Sequence, residues 1–306
     1  MSAIAEWSGV RKHYGAVVAV DGVTLSLKAG EATALVGENG AGKTTLIKLL
    51  LGSVRPDSGI VRISGQDPAG RSGARARKTV GFLPESMAFH SAMTGCELMN
   101  FYSRLKRAST SGNAGLLERV GIANAADRRV GTYSKGMRQR LGVAQALIGD
   151  PKLLVFDEPT SGLDPESRRD FYDIVDAMRA AGATVLISTH SLAEVEQRVD
   201  RVAIMYRGRL RAWGTLGELR AGSRAKVRIA IRTRRCGTGA VLAALPPGAE
   251  CSARSESALT LEVAPQDKLA VLRAILAVDA VEDVEVRAPG LQELYRDVLG
   301  ELEDVP

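Results

Sequence analysis

Up to about residue 220 the chain alternates short apolar runs with helical patterns. Glu31–Val36 (EATALV) is an apolar run ending in glycines, and from Ala41 the stretch AGKTTLIKLLLG has helical spacing closed by Gly52. The order is strand, loop, helix. Leu153–Phe156 (LLVF) and Ala183–Ser188 (ATVLIS) read as two further buried strands, each with polar residues at its carboxyl end. Helical patterns fill the intervals, which predicts a mainly parallel α/β sheet. Between Ser86 and Asp150 the β-branched residues thin out, and ELMNFYSRLKRA, AGLLERVGI and SKGMRQRLGVAQALIGD predict a helical insertion over about 86–150.

After Leu219 the pattern changes. RAGSRA is small and polar and predicts a boundary near 221–225, separating a domain over 1–222 from one over 226–306. The tail reads as strand 226–232, helix 238–244, a short strand near 249–252, strand 258–263, helix 266–277, strand 281–286 and a final helix 289–302. That βαββαβ order predicts a small α+β, ferredoxin-like domain. It carries no catalytic constellation.

Composition narrows the class without adding chemistry. A chain of 306 residues suits one large domain and a smaller one. No apolar run approaches the roughly 20 residues that cross a bilayer. The start, MSAIAEWSGVRKHYG, lacks the basic flank and apolar core of a secretory signal, so a cytoplasmic location is expected. Cys96, Cys236 and Cys251 lie far apart with no CxxC pair, which argues against a disulfide framework or thiolate metal site. The net charge of +6 comes from scattered arginines rather than a basic run interleaved with aromatics, so nucleic acid is not an expected partner.

The chemistry begins in GENGAGKTT. Gly37, Gly42, Lys43 and Thr44 have the GxxxxGK(S/T) spacing, directly after a strand and opening a helix, with Asn39, Gly40 and Thr45 completing the loop. Glycines let backbone N–H groups wrap phosphates, and the helix N-terminus favours anions. Lys43 reaches the β- and γ-phosphates, and Thr44 offers a hydroxyl to Mg²⁺. Asp157 and Glu158 follow LLVF at the same sheet edge; alone they would suit a turn, but beside a phosphate loop they suit metal binding and orientation of the attacking water. ATVLIS is followed by Thr189 and His190, and His190 could donate a hydrogen bond to the γ-phosphate.

Gly37–Thr45, YSKGMRQR at 133–140, LLVFDEPTSGLD at 153–164 and STH at 188–190 together resemble the ATP-binding cassette of ABC transporters, a P-loop NTPase fold with a RecA-like core and a helical subdomain. The resemblance implies that ATP and Mg²⁺ are the cofactors. It implies that two copies pair head to tail and drive an integral membrane permease, with the subunit peripheral on the inner face of the membrane. Tyr14 would stack on adenine, and Asp164 would link the two sites. Ser134, Lys135 and Gly136 would clamp the γ-phosphate of the ATP held by the other copy. Glu85 stands where most members have glutamine and would contact Mg²⁺ or water. Tyr133, Lys135 and Met137 also depart from the usual signature loop, at positions where leucine, glycine and glutamine are usual.

A narrower resemblance runs through AADRRVGTYSKGMRQRLGVAQALIGDPKLLVFDEPTSGLDP, FLPES and the tail APGLQELYRDVLG. These are similar to the ATPases of transporters that mature the copper centre of nitrous oxide reductase, which implies delivery of a copper or sulfur species and a periplasmic accessory protein as a further partner. His90, Met93, Cys96 and Met99, with Met87, have a spacing that suits soft Cu(I) ligands. They equally suit helix packing or a groove for a membrane partner. The alternatives are an exporter of drugs or lipids, and a soluble ABC protein acting on ribosomes or nucleic acid. Relatives of the last kind generally carry two cassettes or a long coiled-coil insertion, and this chain has neither. In an exporter of drugs or lipids the tail domain would regulate the cassette or stabilise its dimer.

Overall fold

A strand with neighbours on both edges and cover on both faces is apolar at nearly every position, and Ala32–Val36, Leu153–Asp157 and Thr184–Thr189 are each buried throughout. In the computed structural model, which describes residues 3–71, 73–247 and 249–303, these three are the middle of a six-stranded sheet. The chain divides into two units, Met1–Thr215 and Leu216–Pro306.

The first unit runs β1 (Ala3–Tyr14), β2 (Val17–Lys28), β3 (Ala32–Val36), α1 (Lys43–Leu50), β4 (Ser58–Ile63), α2 (Gly73–Lys78), β5 (Val80–Leu83), α3 (Gly95–Lys106), α4 (Asn113–Arg119), α5 (Lys135–Leu147), β6 (Leu153–Asp157), α6 (Pro165–Ala180), β7 (Thr184–Thr189), α7 (Leu192–Val195), β8 (Arg201–Tyr206) and β9 (Arg209–Gly214). The large sheet has the order β5-β6-β7-β3-β8-β9 and is parallel except at β8–β9. A second, antiparallel sheet has the order β2-β1-β4. One apolar cluster joins Trp7, Leu27 and Ile63 of the small sheet to Leu46, Ile47 and Leu50 of α1 and to Leu35, Leu153 and Leu186 of the large one. Trp7 Nε1 donates to the Leu46 carbonyl at 3.3 Å, so the ring is buried with its polar atom satisfied.

The structure shifts the ends of the expected elements and adds strands. The helix expected from Ala41 begins at Lys43, because Gly42 has φ 101°, which no helical residue adopts. Strands β1 and β2 were not legible in the apolar pattern. Their pairing shifts register at four places, and each bulge breaks the two-residue alternation that marks a half-buried strand.

Inside the 86–150 insertion, α3 begins with a reciprocal cap between Thr94 and Glu97. Ser103 Oγ donates to Asn113 Oδ1 at 2.9 Å, joining α3 to α4, and Lys106 Nζ donates to the Ile148 carbonyl at 2.9 Å just beyond α5. Of the methionine and cysteine set, Met99 is fully buried, Met87 lies where a side chain on Gly142 would be, Met93 and Cys96 are half-buried, and His90 faces solvent. No group of three or more His, Cys, Asp or Glu among the described residues could hold a metal ion.

The second unit comprises α8 (Leu216–Gly222), β10 (Val227–Thr233), α9 (Thr238–Ala244), β11 (Glu250–Arg254), β12 (Ala258–Val263), α10 (Lys268–Leu276), β13 (Val281–Arg287) and α11 (Leu291–Glu303). Its sheet is antiparallel with order β11-β12-β10-β13. Ile229, Ile231, Leu259 and Leu261 of the sheet pack on Val241 of α9 and Val271 and Ile275 of α10. The division between units falls after Thr215, ahead of the polar stretch at 221–225. That stretch reads as a linker, yet Ser223 Oγ and the Arg224 amide both donate to Asp297 of α11.

The tyrosine at 133, a departure from the usual signature loop, is accommodated locally. Its ring is buried, its hydroxyl donates to the Ala125 carbonyl at 2.6 Å, and a side chain on Gly95 would strike that hydroxyl. Tyr133→Phe should therefore cost about 1 kcal/mol in urea denaturation. Gly95→Ala should destabilise the parent protein and be milder in the Tyr133→Phe background, with a coupling of about 0.5 kcal/mol or more in the double-mutant cycle.

Candidate active site

From Val36 the chain leaves β3, turns through Gly37–Gly42 and enters α1. Close backbone approach dictates this turn: a Cβ on Gly37 would meet the Met205 carbonyl, and one on Gly42 would meet that of Ala19. Lys43 Nζ curls back to donate to the Gly37 carbonyl at 2.6 Å and the Glu38 carbonyl at 3.3 Å. The loop is thereby held open around its own lysine. A cleft of about 520 Å³ lies above it, lined among others by Val17, Gly40, Thr44, Thr45, Glu85 and Glu158.

The neighbouring strand ends supply the carboxylates. Asp157 closes β6, and its Oδ1 accepts the Ser188 hydroxyl of β7. The Glu158 amide donates to both the hydroxyl and the carbonyl of Ser188, at 3.0 and 3.1 Å. Glu158 itself has φ 46°, in the left-handed region that non-glycine residues rarely occupy. Its carboxylate lies 3.2 Å from Lys43 Nζ through Oε1 and 2.9 Å from His190 Nδ1 through Oε2. Lys43 and Glu158 are 6% and 9% exposed, so this charge pair is withdrawn from water. Oε1 has no hydrogen bond of its own. A buried carboxylate oxygen left this way beside a phosphate cradle is set up for an incoming water or cation.

The remaining expected residues fall into two groups and do not themselves line the cleft. Ser134 caps α5 by accepting the Met137 amide at 3.2 Å. A side chain on Gly136 would meet Ser167 Oγ at 2.6 Å, and Ser167 in turn donates through its amide and hydroxyl to Asp164, the cap of α6. Those two bonds, the amide first, hold the Asp164 carboxyl below the usual carboxylate range. Lys135 lies against Gly162, so the signature loop and the SGLD loop are neighbours. The second group is the β1–β2 hairpin. Tyr14, half exposed, pairs with Val17, and Lys12 Nζ sits 5.7 Å from its ring centroid. Asp57 anchors this end by accepting Lys12 Nζ at 2.7 Å and the His13 amide at 2.6 Å; the lysine bond, then the amide, lower its carboxyl to about 2.

Sequence reading missed Ser188, which joins the Asp157 carboxylate and the Glu158 amide to β7, and Gln139, whose Nε2 donates to the Pro159 carbonyl. The signal for Ser188 was a polar residue inside an otherwise apolar strand. The exposed Val17 and Val18 beside the loop gave no signal, because two valines read as core.

A strand-to-helix turn that excludes side chains, a lysine folded onto it and carboxylates at the adjacent strand ends define a P-loop nucleotide hydrolase. The ABC transporter family matches residues 20–161. Over 304 residues the chain is 34% identical to the daunorubicin resistance ATP-binding protein DrrA3 of Streptomyces coeruleorubidus, covering 96% of this chain and 95% of that one. It is 39% identical to the Nod factor export ATP-binding protein I of Burkholderia orbicola over 68% of this chain and 70% of that one. The solved structure of an ATP-binding subunit of an ABC transporter superposes with a TM-score of 0.66 at 29% identity, covering 72% of this chain and 92% of that one. The chain belongs to the ATP-binding subunits of ABC transporters: it binds and hydrolyses ATP, and subunits of this family work with a membrane permease. No described helix is long and apolar enough to cross a membrane. These relatives lend no support to the narrower resemblance to nitrous oxide reductase maturation.

Replacing Ser188 by alanine strips Asp157 of its hydroxyl donor while leaving the Glu158 amide its carbonyl partner. The expected result is a loss of about 1–3 kcal/mol in stability and slower phosphate release, with ATP still bound in a fluorescent-nucleotide titration.

Proposed function

We propose that this chain is the motor of an exporter carrying drug-like or lipid-like cargo. The match to a daunorubicin resistance protein carries this reading, because it extends over nearly the whole of both chains and so includes the second unit. The exporter reading thereby replaces copper-centre assembly as the preferred one, and the buried Met99 and exposed His90 agree with that change.

Within the cleft, Thr44 and Asp157, with Glu85, would hold Mg²⁺; the metal, when bound, would neutralise charge on the β- and γ-phosphates. The fit rests on the exposed Thr44 at the start of α1, on Asp157 at the strand end and on the buried Glu158 oxygen that has the Lys43 ion pair but no hydrogen bond. Lys43 leaves its two carbonyl partners for the phosphates, which releases Glu158 to orient the attacking water. His190, already bonded to Glu158, donates to the γ-phosphate. Tyr14 with Val17 and Val18 offers the adenine an apolar platform. Residues 134–136 and Asp164, on the neighbouring loops that open α5 and α6, would do their work on the nucleotide of a second copy, and the active form would be a homodimer seated on the inner face of the membrane. The strand order β11-β12-β10-β13, with α9 and α10 packed on one face, supports a ferredoxin-like fold for the second unit.

Glu158→Gln should reduce steady-state ATP hydrolysis about 100-fold or more, since its carboxylate is the group placed against the water, while ATP binding persists. Unimpaired turnover in that variant would sink the role given to Glu158. Affinity capture from detergent-solubilised membranes should recover an integral membrane protein. Recovery of RNA that survives high salt instead would favour a soluble ribosome-directed role.

A further inference from the structure

Beside the cleft, and outside every motif used so far, one carboxylate gathers four donors. Glu194 lies on α7, a helix of only four residues. Its Oε1 accepts Arg168 Nη1 and Ser191 Oγ, each at 2.7 Å, and its Oε2 accepts Thr160 Oγ1 at 2.9 Å and the Tyr172 hydroxyl at 3.5 Å. The side chain is 15% exposed. Burial first, and the Glu194 charge second, push the Tyr172 hydroxyl up, so it stays a neutral donor. Arg168 pairs its positive charge with Glu194 and also donates through Nη2 to the Leu163 carbonyl at 3.0 Å, while the Arg198 guanidinium lies 5.5 Å from the Tyr172 ring centroid.

These bonds reach different segments. Thr160 belongs to the loop that follows Glu158. Arg168 and Tyr172 are on α6, with Arg168 also holding the residue before Asp164. Ser191 follows His190, and its amide is itself capped by Thr189 Oγ1 at 2.9 Å. An isolated helix of one turn has no stability of its own, so the segment after β7 takes its position from what Glu194 holds. Were Glu194 only a staple for α7, Arg168 alone would serve. Instead its partners lie next to His190 on one side and flank the 159–164 loop on the other.

We propose that Glu194 is a positioning residue for ATP hydrolysis, setting His190 and the loop from Pro159 to Asp164 in one common geometry. The Glu158–His190 contact at 2.9 Å, and the placement of Asp164 toward a second copy, then depend on the same carboxylate. This rests on the roles proposed above for Glu158 and His190. The reacting atoms are not touched by Glu194.

The test uses the full chain, with Glu194→Ala, Glu194→Gln and His190→Ala assayed for MgATP turnover, nucleotide binding and melting temperature. A displacement on the order of 1 Å at reacting groups costs about 100-fold, so kcat in Glu194→Ala should fall about 10- to 100-fold with KM within about twofold. Glu194→Gln, which keeps one acceptor oxygen, should recover part of the loss. A folded Glu194→Ala protein with kcat within about twofold of the parent overturns the proposal. If that variant does not fold, Thr160→Val and Ser191→Ala each remove a single donor, and unchanged kcat in both overturns it equally. Full turnover in His190→Ala would instead strike the reading of His190, so the two failures are told apart.

Discussion

Lys43 and Glu158, 3.2 Å apart and almost fully buried, form the contact on which the site depends. Two charges taken out of water are costly unless each is satisfied, and removing one leaves the other stranded. Here satisfaction is incomplete by construction. Lys43 is held by two carbonyls of its own loop, whereas Glu158 Oε1 has the lysine alone. The pair ties the turn after β3 to the end of β6.

The rest of the first unit reads as support for that pair. The parallel strands β3, β6 and β7 end at one edge, which brings Gly37 to the same edge as Asp157 and Ser188, both more than a hundred residues further along the chain. Ser188 registers the Asp157 carboxylate and the Glu158 backbone against β7, and the left-handed backbone at Glu158 turns its side chain toward the lysine. Lys106 at the end of α3 donates to the Val80 carbonyl of β5 at 3.5 Å and Gln139 of α5 to the Pro159 carbonyl just beyond β6, so the helical insertion that carries the signature loop is tied to the sheet.

The second unit has a core of its own, built from the alternating apolar residues of β10 and β12 under α9 and α10. Its open sheet face is charged, with Arg228 near Glu262 and Arg232 near Asp283. Exposed pairs of this kind contribute little to stability. They keep the face soluble while the opposite face supplies the core.

Sequence alone determined the phosphate loop, the order of the motifs, the three central strands and nearly every element of the tail, because each is a local matter. A glycine spacing, an apolar run or a 3.6-residue period is complete within a few residues. It did not reveal the β1–β2 sheet, whose bulges erase the alternation, or the exposed Val17 and Val18 in the cleft lining, which look like core until burial is known. Nor did it reveal Ser188, Gln139, Asp57 or Glu194 as partners, since a polar residue shows its role only when its acceptor or donor is in place. Glu194 reaches Thr160 across 34 positions and Arg168 across 26. Only the closing of the sheet and the packing of α6 decided that these groups would meet.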